Sequence, residues 1–121
     1  MAGSGFERSR RLLNAADYSY VFDSASFKVS HKHYLILARR NSYSHSRLGL
    51  VVSKKNARLA TRRNRIKRVV RETFRNYQLE LTCLDIVFLV RQGFDTLPPA
   101  QQTRLMEDAW KRLARYSGVT Q

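Results

Sequence analysis

The segment Arg62–Arg75 narrows what this chain can fold into more than any other stretch. On a helix of about 3.6 residues per turn, Ile66, Val69, Val70, Thr73, Phe74 and Tyr77 fall at i, i+3, i+4, i+7, i+8 and i+11, one apolar stripe. Asn64, Arg68, Arg71 and Arg75 form the opposite ridge, with Arg65 and Lys67 on its flanks. Only Glu72 interrupts the cations. A merely solvated helix face mixes signs, because like charges at i, i+4 repel by a few tenths of a kcal/mol each. A helix this one-sided needs a core on one side and suits a polyanion on the other.

The rest of the chain has to supply that core. At 121 residues it is long enough for one modest core and too short for two, so residues 1–121 are expected to form a single domain. The charge balance, 23 Lys and Arg against 9 Asp and Glu with a net charge of +14, attracts nucleic acid or an anionic membrane surface. The longest apolar run, Ile86–Val90, is far short of the ~20 residues of a spanning helix and reads as a strand, so membrane binding is not expected. Cys83 is the single cysteine, which leaves no intrachain disulfide or thiolate zinc site and fits a reducing cytoplasm. Met1–Gly5 is small and lacks the basic-then-apolar plan of a signal peptide; residues 1–7 are expected to be flexible.

In chain order, Asn14 is a plausible N-cap, with Leu13 placed to staple onto Tyr18, and Tyr18, Val21, Phe22 and Ala25 carry a stripe through a short helix over about Ala15–Asp23. Phe27–Ser30 alternates like a half-buried strand, and Tyr34–Ala38 reads as a more fully buried one. Arg39–Ser46 is polar and without periodicity, a loop. Arg47–Lys55 reads as a strand ending in two lysines, and the basic helix follows, with residues 56–61 able to begin it early and its end near Gln78. Asp85–Arg91 is continuously apolar between charged ends, which fits a central place in a sheet. Pro98-Pro99 belongs at a helix start. Leu105, Met106, Ala109, Trp110, Leu113 and Tyr116 form the last stripe, stopped at Gly118.

Nothing here reads as a protein active site. No paired carboxylates lie in apolar surroundings. Gly49 and Gly93 are isolated rather than part of a phosphate loop. His31, His33 and His45 sit on a strand edge and a loop, without a third ligand for a metal and without the placement of a two-histidine nuclease. No catalytic residue and no metal ligand is assigned.

The strand Arg47-Leu48-Gly49-Leu50-Val51-Val52-Ser53-Lys54-Lys55, a short loop, and then Arg62-Arg63-Asn64-Arg65-Ile66-Lys67-Arg68 closely resemble the protein subunit of bacterial ribonuclease P, and the resemblance runs from about Arg8 to Leu113. It implies an α/β (α+β) two-layer sandwich around a mixed four-stranded sheet with three helices, in the order α-β-β-β-α-β-α. It also implies a left-handed β-α-β crossover, where sequence reasoning alone favours the right-handed one. In that family an RNA subunit is the catalyst, with Mg²⁺ held by RNA phosphates, and removes the 5′ leader of precursor tRNA. The protein binds both RNAs, as a monomer in a 1:1 complex with the catalytic RNA, in the cytoplasm.

By that resemblance Arg62, Arg63, Asn64, Arg65, Lys67, Arg68 and Arg71 contact the catalytic RNA. Arginine suits this, since its planar fork pairs with two phosphate oxygens and stacks on bases. Tyr18, Phe22 and Tyr34 are expected to stack the single-stranded leader, with Lys54 and Arg91 tracking its phosphates. Read alone, Tyr18 and Phe22 share a helix face and are core residues by default; as leader contacts they should be packed at the base and open along one face. Relatives often carry a further aromatic where this chain has Leu37. Two other readings stay open at this point. One is a non-enzymatic RNA-binding protein such as a ribosomal protein. The other is a DNA-binding helix, disfavoured because no short-turn partner helix precedes Arg62.

Overall fold

The computed structural model describes Arg11, residues 15–81 and residues 83–118. The expected N-cap Asn14, its Leu13 staple and the Met1–Gly5 segment lie outside them. The elements are α1 (Ala15–Ser24), β1 (Phe27–His31), β2 (Tyr34–Arg40), β3 (Arg47–Val51), α2 (Ala60–Arg75), β4 (Leu84–Val90) and α3 (Pro99–Ser117). This is the order the sequence implies. The strands form one mixed sheet in the order β1-β2-β4-β3, antiparallel except where β3 runs parallel to β4.

A period of two sorts the strand residues onto the two faces. Tyr34, Ile36 and Ala38 of β2, with Leu84, Ile86, Phe88 and Val90 of β4, face α2 and α3 and form the main core. Leu37 and Val87 face the other way, toward α1, where Val21 completes a second, smaller cluster. β4 is therefore covered on both faces, which accounts for its uninterrupted apolar run.

The main core fixes α2 against α3. Ile66, Val70, Thr73 and Phe74 are the buried residues of α2. Trp110, fully buried, meets Phe74 edge-on at 5.2 Å, and its Nε1–H donates to Thr73 Oγ1 at 2.9 Å. Thr73 Oγ1 in turn donates to Val69 O at 2.8 Å, so the one polar residue in the stripe serves as the tryptophan's partner. The apolar stripe of α2 points inward as expected, and its cations point outward.

Several boundaries differ from expectation. β3 stops at Val51, because Ser53 O accepts the N–H groups of Asn56 and Ala57 at 3.2 and 3.0 Å and turns the chain. α2 starts at Ala60 and ends at Arg75, where the N–H of Asn76 bonds back to Thr73 O at 3.1 Å and closes the helix. β4 runs from Leu84 to Val90, leaving Arg91 as the first residue beyond it. On α3, Tyr116 is exposed while Gln102, Ala114 and Ser117 are buried. Gln102 is accommodated because its Nε2 donates to Phe94 O and Leu97 O at 3.1 and 3.2 Å. Pro99 opens α3, and Gly118 ends it in the left-handed conformation with φ 67°.

Candidate nucleic-acid interface

The outer face of α2 is the first candidate surface. Asn64, Lys67, Arg68, Arg71 and Arg75 line a groove of about 440 Å³ with Arg11 and one acid, Glu72. Arg11 was not foreseen as part of this surface. It arrives there because its backbone forms a parallel bridge with Leu48 on the edge of β3, a long-range pairing that no local pattern announces. Burial, and then the charge of Arg11, pushes the Arg71 guanidinium below its ordinary value. The groove thus concentrates positive charge beyond what the helix alone would carry, the condition that favours phosphate binding.

The remaining cations of the expected set divide. Arg65 is exposed on the flank of the ridge. Arg62 pairs with Asp95 at 3.5 Å, and Arg63 folds back so that Nη1 donates to Ala57 O and Arg58 O at 2.9 and 3.0 Å. Arg63 thereby fastens the loop before α2, whose N-terminus has no side-chain cap. Arg63 is thus committed within the protein, whereas Arg62 keeps an exposed side chain with one long contact to Asp95.

The second surface lies on the α1 side of the sheet. α1 turns Val21 down onto the strands, which places Tyr18 and Phe22 together on one flank, four residues apart. Tyr18 is half-buried: its hydroxyl accepts the N–H of Leu50 at 3.2 Å, and its ring lies so close over Gly49 that a Cβ there would be 2.7 Å from Cε2. Phe22 is 45% exposed. The floor beside them is Leu37, Val51 and Leu89, each partly buried around Val87.

Two cations follow the strands that carry this floor. Arg91 leaves β4 on the same face, with Nη1 donating to Ser30 Oγ and His31 O at 3.0 and 2.8 Å. Lys54 is exposed in the turn after β3 rather than at a strand end, and Asn56 ties that turn to β4 through Nδ2 donating to Val90 O at 2.9 Å. The geometry brings Tyr18 and Phe22 to the α1 face with this floor, and Arg91 reaches Ser30 at the end of β1.

Tyr34 does not join them. It is fully buried on the opposite face, stacked against His31 at 4.8 Å and Phe88 at 5.5 Å. The strand period is the reason: Tyr34 shares its face with Ile36 and Ala38, whereas the residues beside α1 are Leu35, Leu37 and Arg39. The expectation that Tyr34 lines the cleft is therefore corrected, and the apolar floor takes its place.

Among the described residues no three His, Cys, Asp or Glu side chains come together as a metal site, and no helix is long and apolar enough to cross a membrane. The family model for ribonuclease P matches residues 6–114. The chain belongs to the ribonuclease P protein family. The ribonuclease P protein component of Marinobacter nauticus is 51% identical over 110 residues, covering 91% of this chain and 83% of that protein. That of Stutzerimonas stutzeri is 48% identical over 116 residues, covering 96% and 88%. Among solved structures, the Staphylococcus aureus RNase P protein superposes with a TM-score of 0.76 at 25% identity, over 91% of this chain and 96% of that one. The Thermotoga maritima RNase P protein in complex with 1-(4-fluorophenyl)-2-thiourea gives 0.74 at 31% identity, over 87% and 98%. Membership gives the chain a role in an endoribonuclease complex that processes tRNA, and a ribosomal-protein reading is not favoured.

One prediction concerns Phe22. Because the ring is 45% exposed, Phe22→Ala is expected to cost well below the ~3–5 kcal/mol of a fully buried phenylalanine. In the complex with catalytic RNA it should weaken leader-bearing precursor by about fivefold to a hundredfold, while mature tRNA binds as before. Thermal melts and the two affinities check this; equal loss for both substrates with a large fall in Tm would make Phe22 a core residue.

Proposed function

We propose that this chain is the RNA-binding subunit of a ribonucleoprotein whose RNA subunit cuts precursor tRNA, with the α2 groove holding the catalytic RNA and the α1 groove holding the 5′ leader. The observation that carries this reading is the juxtaposition of two grooves of different chemistry. One is cationic and rigid, suited to the shape and backbone of folded RNA. The other offers half-exposed aromatic rings over an apolar floor, suited to unpaired bases of any sequence. They share β3: Tyr18 bonds its Leu50 on one side, and Arg11 bridges its Leu48 on the way to α2.

In this reading Asn64, Arg65, Lys67, Arg68 and Arg71 bind the catalytic RNA, Arg62 and Arg63 shape the start of their helix, and Tyr18, Phe22, Lys54 and Arg91 bind the leader. The complex holds one protein and one catalytic RNA and works in the cytoplasm. Among the described residues no three His, Cys, Asp or Glu side chains gather to hold the family's Mg²⁺. Asp17 and Asp85 both turn to Arg47, at 3.8 and 2.7 Å. In this reading the RNA holds the Mg²⁺, and the protein supplies binding and orientation.

Reconstitution tests the reading. Protein freed of RNA should leave precursor tRNA intact in Mg²⁺. Adding the catalytic RNA of a bacterial ribonuclease P should give 5′ cleavage at Mg²⁺ concentrations where that RNA alone is slow. Cleavage at the mature 5′ end by RNA-free protein, or no stimulation of the RNA, would overturn it.

A further inference from the structure

The proposed leader groove uses one flank of α1, and the other flank carries a second aromatic recess. At about 100° per residue, the turn that puts Tyr18 and Phe22 on one side of Val21 puts Asp17 and Tyr20 on the other. There Tyr20, Arg39, Arg40, Tyr43 and Arg47 line a recess of about 480 Å³ between α1 and the 41–46 loop. The Arg39 guanidinium sits 3.8 Å from the centre of the Tyr20 ring, and that of Arg47 lies 4.5 Å from the centre of Tyr43. Each ring is thus braced by a cation, yet Tyr20 is 56% and Tyr43 48% exposed.

The loop is held in place rather than loose. The N–H of Tyr43 donates to Asn41 Oδ1 at 2.9 Å, and Asn41 Nδ2 donates to Asp85 Oδ1 at 2.8 Å and His45 O at 3.2 Å. The charges are unevenly settled. Both acids of the recess, Asp17 and Asp85, are engaged by Arg47. Among the described residues Arg39 and Arg40 form no ion pair; Arg39 Nε donates to Arg40 O, and Arg40 Nη2 to Ser117 O. Two open aromatic rings beside unneutralised guanidinium groups match the two halves of an unpaired nucleotide, a base that stacks and a phosphate that accepts charge-assisted hydrogen bonds.

Resting on the reading that this chain works bound to RNA, we propose that the recess is a third RNA site, which stacks one unpaired nucleotide on Tyr20 and Tyr43 and holds its phosphate on Arg39. The nucleotide comes from the catalytic RNA or from the leader, and the test separates them. Affinities of the parent protein and of Tyr20→Ala, Tyr43→Ala, Arg39→Ala and Tyr20→Phe are measured for bacterial ribonuclease P RNA alone. In the assembled complex they are measured for leader-bearing precursor and mature tRNA.

Tyr20→Ala and Tyr43→Ala should each weaken binding by about fivefold to a hundredfold without changing the dependence on salt. Arg39→Ala should flatten the slope of log K against log salt by about 0.7–0.9. Tyr20→Phe, which keeps the ring, should bind as the parent does. Loss with the catalytic RNA alone assigns the nucleotide to that RNA, and loss confined to leader-bearing precursor assigns it to the leader. Parental affinity of all the alanine variants for all three RNAs would overturn the site. Arg65→Ala/Arg68→Ala in the same series separates the two ideas: if it alone loses RNA, only the recess is refuted, and if it too binds normally, the broader reading falls.

Discussion

Arg47→Ala is expected to be among the most destabilising substitutions in the chain, at about 3–5 kcal/mol, or a fall in Tm of about 10–20 °C. Arg47 Nε and Nη2 donate to Asp85 Oδ1 and Oδ2 at 2.9 and 2.7 Å, and the Asp85 side chain is only 5% exposed. The hydrogen bond to Asp85 holds the guanidinium above its ordinary pKa, outweighing the opposing effect of burial. Removing Arg47 would leave a buried carboxylate with only the Asn41 amide donating to it among the described residues, and removing one member of a buried pair costs more than the pair itself contributes. Arg47 also approaches Asp17 of α1 at 3.8 Å, so one side chain links the start of β3, the start of β4 and the first turn of α1. Thermal unfolding of Arg47→Ala and of Arg47→Ala/Asp85→Asn checks the cause. The double variant should recover part of the loss, because the uncompensated charge is gone; a double variant no better than the single one would rule this account out.

The second large effect is on binding. Arg65→Ala/Arg68→Ala should leave stability within about 0.5 kcal/mol of the parent, since both side chains are exposed and off the apolar stripe. Their binding to the catalytic RNA should weaken, and the slope of log K against log salt should flatten by about 0.7–0.9 for each lost phosphate contact. Arg63→Ala is the contrast. Its guanidinium already donates to two carbonyls of the preceding loop, so its loss should show more in the melting curve than in the slope. A salt slope unchanged in the double variant would mean that Arg65 and Arg68 face solvent in the complex.

The elements legible in the sequence were those whose own pattern decides their burial. The stripe of α2 named its buried face correctly because Ile66, Val70 and Phe74 recur at helical spacing, and β4 announced its central place through an unbroken apolar run. What was not legible depended on partners far away in the chain. Tyr34 could not be assigned to a face from its type, because an aromatic suits either side of a strand; only the register of Tyr34 opposite Val90, on the α2 and α3 side, decides it. Gln102 reads as polar and exposed until the carbonyls of Phe94 and Leu97 are seen to receive its amide. Arg11 looked like one more N-terminal cation, and its bridge to Leu48 makes it part of the α2 groove. The same holds for Gly49, whose missing side chain is the space in which the Tyr18 ring lies.

The edge of β3 carries a last consequence. A strand at the rim of a sheet offers unpaired amides to any other extended chain, and such rims are where proteins begin to aggregate. Here the Leu50 N–H is taken by the Tyr18 hydroxyl at 3.2 Å, and the backbone beside Leu48 is occupied by Arg11. The protection comes from the same two residues that border the proposed RNA grooves. A chain carrying a net charge of +14 is thereby shielded at this rim while it waits for its RNA, by like-charge repulsion at long range and by a covered strand at contact.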